Sequence, residues 1–245
     1  MNRIKILLIS VVLFFCFANN LHAQTPMDKV QTLDKKQVAL VTIAAFTAKG
    51  DLVSLQKALY NGLNAGLTIN QVKETLVHLY AYCGFPRSIR GLQTLMTVLN
   101  DRKAKGIHDL AGIEASPIKE SNQKYERGKK ILGELTNAPQ TGTPTGYSAF
   151  APVIDTFLKE HLFADIFERD VLSYAERELV TVSVLGSIGG VEPMLQSHLN
   201  ICLNVGLTPE QLQHFINILK TSTGKKKAKS AQTVLDEVLK NRKPS

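Results

Sequence analysis

The chain has 245 residues, a formal charge of +8 and 44% hydrophobic residues, with three cysteines and no tryptophan. That length supports one large or two modest domains around a real apolar core. The positive charge is dispersed, its densest run being Lys225-Lys226-Lys227 with Lys229, and no basic stretch is interleaved with aromatics, so nucleic acid is not an expected partner.

The N-terminus reads as an export signal. Arg3 and Lys5 open it, residues 6–18 are almost wholly apolar, and Leu21-His22-Ala23 ends in a small residue. The 13 apolar residues fall short of the roughly 20 that a helix needs to cross the hydrocarbon layer, so cleavage after Ala23 is expected rather than anchoring. Residues 24–245 would then form a periplasmic or secreted protein of formal charge +6, with no later stretch suited to a membrane. Cys16 leaves with the signal, and spacing alone does not decide whether Cys83 and Cys202 pair.

Residues 38–48 are apolar and helical in pattern, Gly50 follows, and residues 55–68 form a second helix and its end. Gly66 is placed to take the left-handed conformation, Thr68 to cap the next helix, and Gln71 to complete a capping box. On that next helix Glu74, His78 and Tyr82 are four residues apart and share one broad face. Residues 122–135 read as a polar, exposed helix, residues 137–146 are crowded with Pro, Gly and Thr, and residues 151–169 read as one amphipathic helix. Ser173 with Glu176 starts a further helix whose apolar run covers residues 179–187.

The rest of the chain repeats its first part. Residues 194–211 match residues 54–71 at nine of eighteen positions without a gap, at an offset of 140, and Gly206, Thr208 and Gln211 reproduce the grammar of Gly66, Thr68 and Gln71. The same offset carried upstream pairs Gly50 with Gly190. The organisation expected is all-α, with a first repeat over residues 24–110, a linker with an exposed helix over residues 111–150, and a second repeat over residues 151–245.

Copy one carries Asn61-Gly62-Leu63-Asn64-Ala65-Gly66-Leu67-Thr68, then Glu74, His78 and Tyr82-Cys83-Gly84-Phe85-Pro86. Copy two carries Arg177-Glu178-Leu179, then His198, Cys202 and Gly206-Leu207-Thr208-Pro209-Glu210. These motifs resemble the carboxymuconolactone decarboxylase family, within the alkylhydroperoxidase D-like superfamily. The resemblance implies a small-molecule substrate, decarboxylase-type acid–base chemistry or, in the other branch, thiol-dependent peroxide reduction. It also implies homo-oligomers: three fused chains would reproduce a ring of six units.

The copies depart from the pattern in opposite ways. The family's histidine is His198 in copy two and Ala58 in copy one, whereas Tyr82, Gly84 and Pro86 of copy one align with Ser222, Gly224 and Lys226. The expectation is a composite pocket, with His198 meeting Glu74, His78 and Tyr82 between the repeats. His198 is the candidate acid–base group and Tyr82 a hydrogen-bond donor, with Glu74 or Glu176 as orienting or proton-transfer carboxylates. Arg87 or Arg177 is the candidate holder of a substrate carboxylate. For the peroxidase alternative Cys83 and Cys202 are the redox candidates; Cys202 lies one turn beyond His198, a spacing expected to favour its thiolate, but the family's Cys-x-x-Cys pair is missing. His78, His108, His198 and His214 lack metal-ligand spacing and no phosphate-cradling loop follows a strand, so neither metal nor cofactor is expected. A non-catalytic oligomeric binding module is the alternative outside enzymology.

Overall fold

The computed structural model describes residues 32–118 and 123–242; the segment expected to be an export signal lies outside them. Among the described residues every regular element is a helix. The first repeat is α1 (Lys35–Lys49), α2 (Leu52–Asn64), α3 (Ile69–His78) and α4 (Tyr80–Ala104); the second is α8 (Tyr174–Ile188), α9 (Glu192–Asn204), α10 (Pro209–Thr223) and α11 (Lys225–Asn241). Between them lie α5 (Lys124–Thr136), α6 (Gly146–Phe150), α7 (Pro152–Phe157) and a π-helix over Leu158–Phe167.

The expected stop and start signals operate in both copies. Gly66 and Gly206 adopt φ of 93° and 95°, and Thr68 with Gln71, Thr208 with Gln211 and Ser173 with Glu176 each form both bonds of a capping box. Gly84 turns α4 sharply after its first turn (φ 82°, ψ 159°), and Gly224, 140 residues on, does the same between α10 and α11 (φ 93°, ψ 165°). Such angles are open only to glycine.

The offset of 140 does not extend to the first helix of each copy. Asp34 and Gln37 cap α1 as Ser173 and Glu176 cap α8, and Leu40-Val41-Thr42 matches Leu179-Val180-Thr181, all at an offset of 139. The partner of Gly50 is therefore Gly189, and the second of two left-handed glycines, Gly190, is the added residue.

Helices α1 and α8 are buried on nearly every side, as their continuous apolar composition requires. They pack on each other, and each lends side chains to the other repeat: Val41 joins the core built by α8–α11, while Val180 and Val184 join the core built by α1–α4. A third cluster ties α5 and the π-helix to Ile201 of α9. The segment read as an exposed helix is thus half sequestered: Gly128, Ile131 and Leu135 of α5 are buried. Gly128 meets the π-helix so closely that a Cβ there would lie 1.7 Å from the Lys159 carbonyl oxygen. The stretch read as one amphipathic helix changes winding at Leu158, leaving Phe157 exposed and Leu162, Ile166 and Phe167 buried.

Candidate functional site

Helix α3 and the first turn of α4 supply Glu74, His78 and Tyr82; α8 supplies Arg177, Glu178 and Thr181; α9 supplies His198. Tyr82 packs against all three core clusters and so marks their junction. Its ring lies 5.7 Å from that of His198, edge to face, and 5.5 Å from that of His78, while Phe167 of the π-helix closes on His78 at 5.1 Å.

On the inner side the groups hold one another. Arg177, fully buried, donates from Nη2 to Glu74 Oε1 at 2.7 Å and to the Arg169 carbonyl at 2.6 Å, and Arg169 Nε donates to both Glu74 oxygens at 2.9 and 3.0 Å. Burial pushes the Glu74 carboxyl up, but the hydrogen bonds and charges of Arg169 and Arg177 outweigh it and hold the group below the usual carboxylate range. Burial likewise lowers the Arg177 guanidinium pKa, against the pull of Glu74. Arg177 Nη1 donates to His78 Nδ1 at 3.3 Å, which places the imidazole proton on Nε2, where it is donated to Thr181 Oγ1 at 2.9 Å. Burial first, then the Arg177 charge, holds His78 well below its ordinary value, so it is neutral. With both ring nitrogens engaged, His78 positions its neighbours rather than exchanging protons.

On the outer side stands a second pair. A carboxylate only accepts, so the 2.8 Å contact between His198 Nδ1 and Glu178 Oε2 fixes the His198 proton on Nδ1 and leaves the Nε2 lone pair available. Glu178 is fully buried, whereas the His198 side chain retains 14% of its exposure. Three buried polar atoms of this cluster have no hydrogen-bond partner: Tyr82 Oη, Arg177 Nε and Glu178 Oε1. Burial and then the Glu178 charge push the Tyr82 phenol up, outweighing the nearby Thr181 hydroxyl and Arg177 charge, so it is neutral. A base aligned by a carboxylate beside an unspent phenol is the arrangement that acid–base chemistry at carbon needs.

The other residues singled out in the sequence lie elsewhere. Glu176 is spent on its capping box, accepting from Ser173 N and Oγ at 2.8 and 2.9 Å. Arg87 is exposed and lies over Gly50 at the end of α1, as its counterpart Lys227 reaches the end of α8 and donates to the Ile188 carbonyl at 2.7 Å. Cys83 and Cys202 are free thiols belonging to different clusters. Burial and then the Glu178 charge push the Cys202 thiol well up, against the thiolate that its spacing from His198 led us to expect. Burial pushes Cys83 up to about 11. Among the described residues no cluster of His, Cys, Asp or Glu is arranged to hold a metal.

Glu178, Thr181, Arg169 and Phe167 were missed. Glu178 had a signal: a charge inside a run that is buried from residue 177 to 187 must be paired or functional.

The site has no counterpart in the mirrored position. The residues equivalent to Glu178 and His198 are Ala39 and Ala58, both 5% exposed, and those equivalent to Arg177 and His78 are Val38 and Ile218. His214, equivalent to Glu74, instead accepts the Leu33 N–H at 3.1 Å.

Among the described residues this is an all-helical tandem-repeat protein with a cluster of buried ionisable and aromatic side chains drawn from both repeats. The family model for the carboxymuconolactone decarboxylase family matches residues 20–95 and 152–237. Matching more than half of the residues in two tandem copies, the chain belongs to that family. It is 25% identical over 120 residues, 49% of this chain and 89% of the relative, to the 4-carboxymuconolactone decarboxylase of Acinetobacter baylyi. It is 28% identical over 74 residues, 30% of this chain, to nitrosuccinic acid decarboxylase of Metarhizium robertsii, spanning about half (52%) of that protein.

Proposed function

We propose that the protein catalyses acid–base chemistry, decarboxylation in the first instance, on a small carboxylic acid able to delocalise the electron pair left when carbon dioxide departs. The observation that carries this reading is the buried Glu178–His198 pair, with its free Nε2, set against Tyr82. Both relatives are named for decarboxylation of acids that carry a second electron-withdrawing group. In the proposed step the bond from carbon to the carboxylate breaks, the electron pair moves toward an oxygen that accepts a hydrogen bond from Tyr82, and a proton taken from solvent onto the free Nε2 of His198 passes to carbon as carbon dioxide leaves. Solvent reprotonates His198 through its exposed edge. Glu74, Arg177 and His78 position Tyr82 and α8, and the unspent Arg177 Nε adds positive charge.

The test is carbon dioxide release from a panel of lactone and nitro carboxylic acids. His198→Ala is expected to lower kcat by about a hundredfold or more, the scale of a lost general acid–base, while replacing Cys83 and Cys202 together with serine preserves turnover. Peroxide reduction that disappears with the cysteines would establish the thiol-dependent reading instead, which both raised thiols and their separation oppose. No turnover of either kind would favour the binding module.

Export and self-association complete the proposal. Tyr147, Phe150, Ile154 and Phe157 are all exposed within residues 146–157, the span of α6 and α7, more apolar surface than monomers usually leave in water over so short a stretch. A trimer by light scattering is expected, and a monomer would refute it.

A further inference from the structure

The two repeats end in the same arginine bracket. In the first, Arg102 at the end of α4 donates from Nη1 to Asn64 Oδ1 at 2.8 Å, and its Nε and Nη2 grip both oxygens of Asp109 at 2.7–3.1 Å. In the second, Arg242, just past α11, donates from Nη2 to Asn204 Oδ1 at 2.8 Å and from Nη1 to the Asn200 carbonyl at 3.1 Å. Asn204 Nδ2 donates to the Leu135 carbonyl at 3.0 Å, which fixes the amide with its oxygen toward Arg242. The match extends beyond the pair: Gln196, Asn204, Val238 and Arg242 stand 140 residues after Gln56, Asn64, Val98 and Arg102, and the residue type is the same at all four.

What differs is the occupant. Asp109, carried on the extended segment after α4, covers Arg102, which is 4% exposed. Arg242 is exposed, and among the described residues no carboxylate pairs with it. It borders instead an open cleft of about 460 Å³, lined also by Gln196, Asn200, Asn204, Val238 and Thr136. Tyr60, whose ring lies 5.5 Å from the Arg102 guanidinium, is replaced in this position by Asn200, which removes an aromatic wall and adds an amide. Of the five N–H donors of Arg242, two are used, one on each Nη, so Nε–H and one N–H of each Nη are left for an incoming carboxylate.

We propose that this cleft binds a carboxylate side chain presented on a short extended peptide, seated on Arg242 as Asp109 is seated on Arg102. The Gln196 amide and the Oδ1 of Asn200, whose Nδ2 donates to the Gln196 carbonyl at 3.0 Å, are then available to the peptide backbone on either side. This site is separate from the His198 cluster and does not depend on the reaction proposed there.

The probe is a peptide copying residues 106–111, Gly-Ile-His-Asp-Leu-Ala, with blocked ends so that its aspartate is its only carboxylate. It is titrated into the full chain while the side-chain N–H resonances of Arg242 and Asn204 are followed by NMR. Saturable shifts are expected with the aspartate peptide, with binding weakened by about tenfold when Asn replaces that aspartate or when Arg242→Ala is used, as for loss of a charge-assisted hydrogen-bond pair. Arg242→Lys keeps the charge without the fork and should fall between. Because Arg242 is exposed, an unchanged melting temperature serves as the folding control. Absence of saturable shifts, equal binding of the Asp and Asn peptides, or undiminished binding to Arg242→Ala would overturn the proposal. Acetate binding as tightly as the peptide would overturn the peptide assignment and leave a site for free carboxylates.

Discussion

Glu74→Gln should unfold the protein more readily, because it strips the charge from the partner of the most deeply buried cation. Arg177 has no solvent contact, and Glu74 is 3% exposed. Arg169, with 39% of its side chain exposed, can turn to water when its partner is lost, so its share is small; Arg177 cannot. Breaking a buried pair from one side costs about 3–5 kcal/mol. Glutamine keeps the shape and one acceptor oxygen, so the low end, about 3 kcal/mol, is expected. For a chain of this size that corresponds to a fall in Tm of roughly 6–12 °C. Urea and thermal melts followed by circular dichroism measure it. The pairing holds the Glu74 pKa below its unfolded value of 4.5, so its stabilisation is complete above pH 4.5 and is lost as pH falls through the lower folded value. The gap between wild type and variant should close over that acid range. Combining Glu74→Gln with Arg177→Met should recover much of the loss, since no unpaired charge is then left buried. A loss below about 1 kcal/mol at pH 7, or a double variant as unstable as the sum of the singles, would refute the claim that Arg177 depends on Glu74.

Other perturbations probe neighbouring features. His78 is held neutral in the fold but takes a proton near pH 6.5 when unfolded, so its contribution is present above pH 6.5 and declines below it by about 1.4 kcal/mol per pH unit; His78→Gln should flatten the stability profile by that slope, and an unchanged slope would contradict the burial argument. Gly128→Ala drives a Cβ into the Lys159 backbone, which cannot yield without parting α5 from the π-helix, at an expected cost of about 1–3 kcal/mol in a urea melt. Cys202 should resist a thiol reagent at pH 8 in the native protein and react once unfolded, with Cys83 slow because its thiol sits near 11; rapid native labelling of Cys202 would be inconsistent with its burial. Glu178→Gln removes the charge that aligns His198, and a change in the ring's nitrogen chemical shifts, reporting a mixed tautomer, is the expected signature.

The helices and their ends were legible because their signals are local: Thr68 and Gln71 meet through one turn of backbone, whatever surrounds them. The repeat was legible for the same reason, though a single inserted glycine between α8 and α9 shifted the register of the first helix and hid the equivalence of Glu178 with Ala39. The choice of Glu176 over Glu178 shows where local grammar should have been used in reverse. Ser173-x-x-Glu176 already accounts for Glu176, and what remained unexplained was the charge two residues on, in the apolar run. Arg87 misled because a surface arginine two residues from the next turn says nothing of what it covers; only the fold places it over Gly50. The π winding after Leu158 was invisible in the sequence, since the apolar spacing of Leu162, Ile166 and Phe167 suits an α-helix equally well.

The asymmetry between the two interfaces has a physical rationale in the fusion itself. Two buried carboxylates, an arginine and two histidines are costly to sequester, and each needs a partner: Glu74 meets Arg177 and His78 meets Thr181 across the repeats, while His198 meets Glu178 within the second. In separate identical units both interfaces would carry the same groups and the same cost. When the units share a chain the two interfaces can differ, and the mirrored one has Ala39, Ala58 and Val38 where this one has Glu178, His198 and Arg177, with His214 at the Glu74 position bonded to the Leu33 N–H. The apolar interface stabilises the pair, and the polar one is left with unsatisfied atoms at Tyr82, Arg177 and Glu178. Glu74, His78, Tyr82, Arg177, Glu178 and His198 touch one another on this side, whereas their mirrored counterparts are mostly apolar, which is the division of labour that the proposed acid–base role requires.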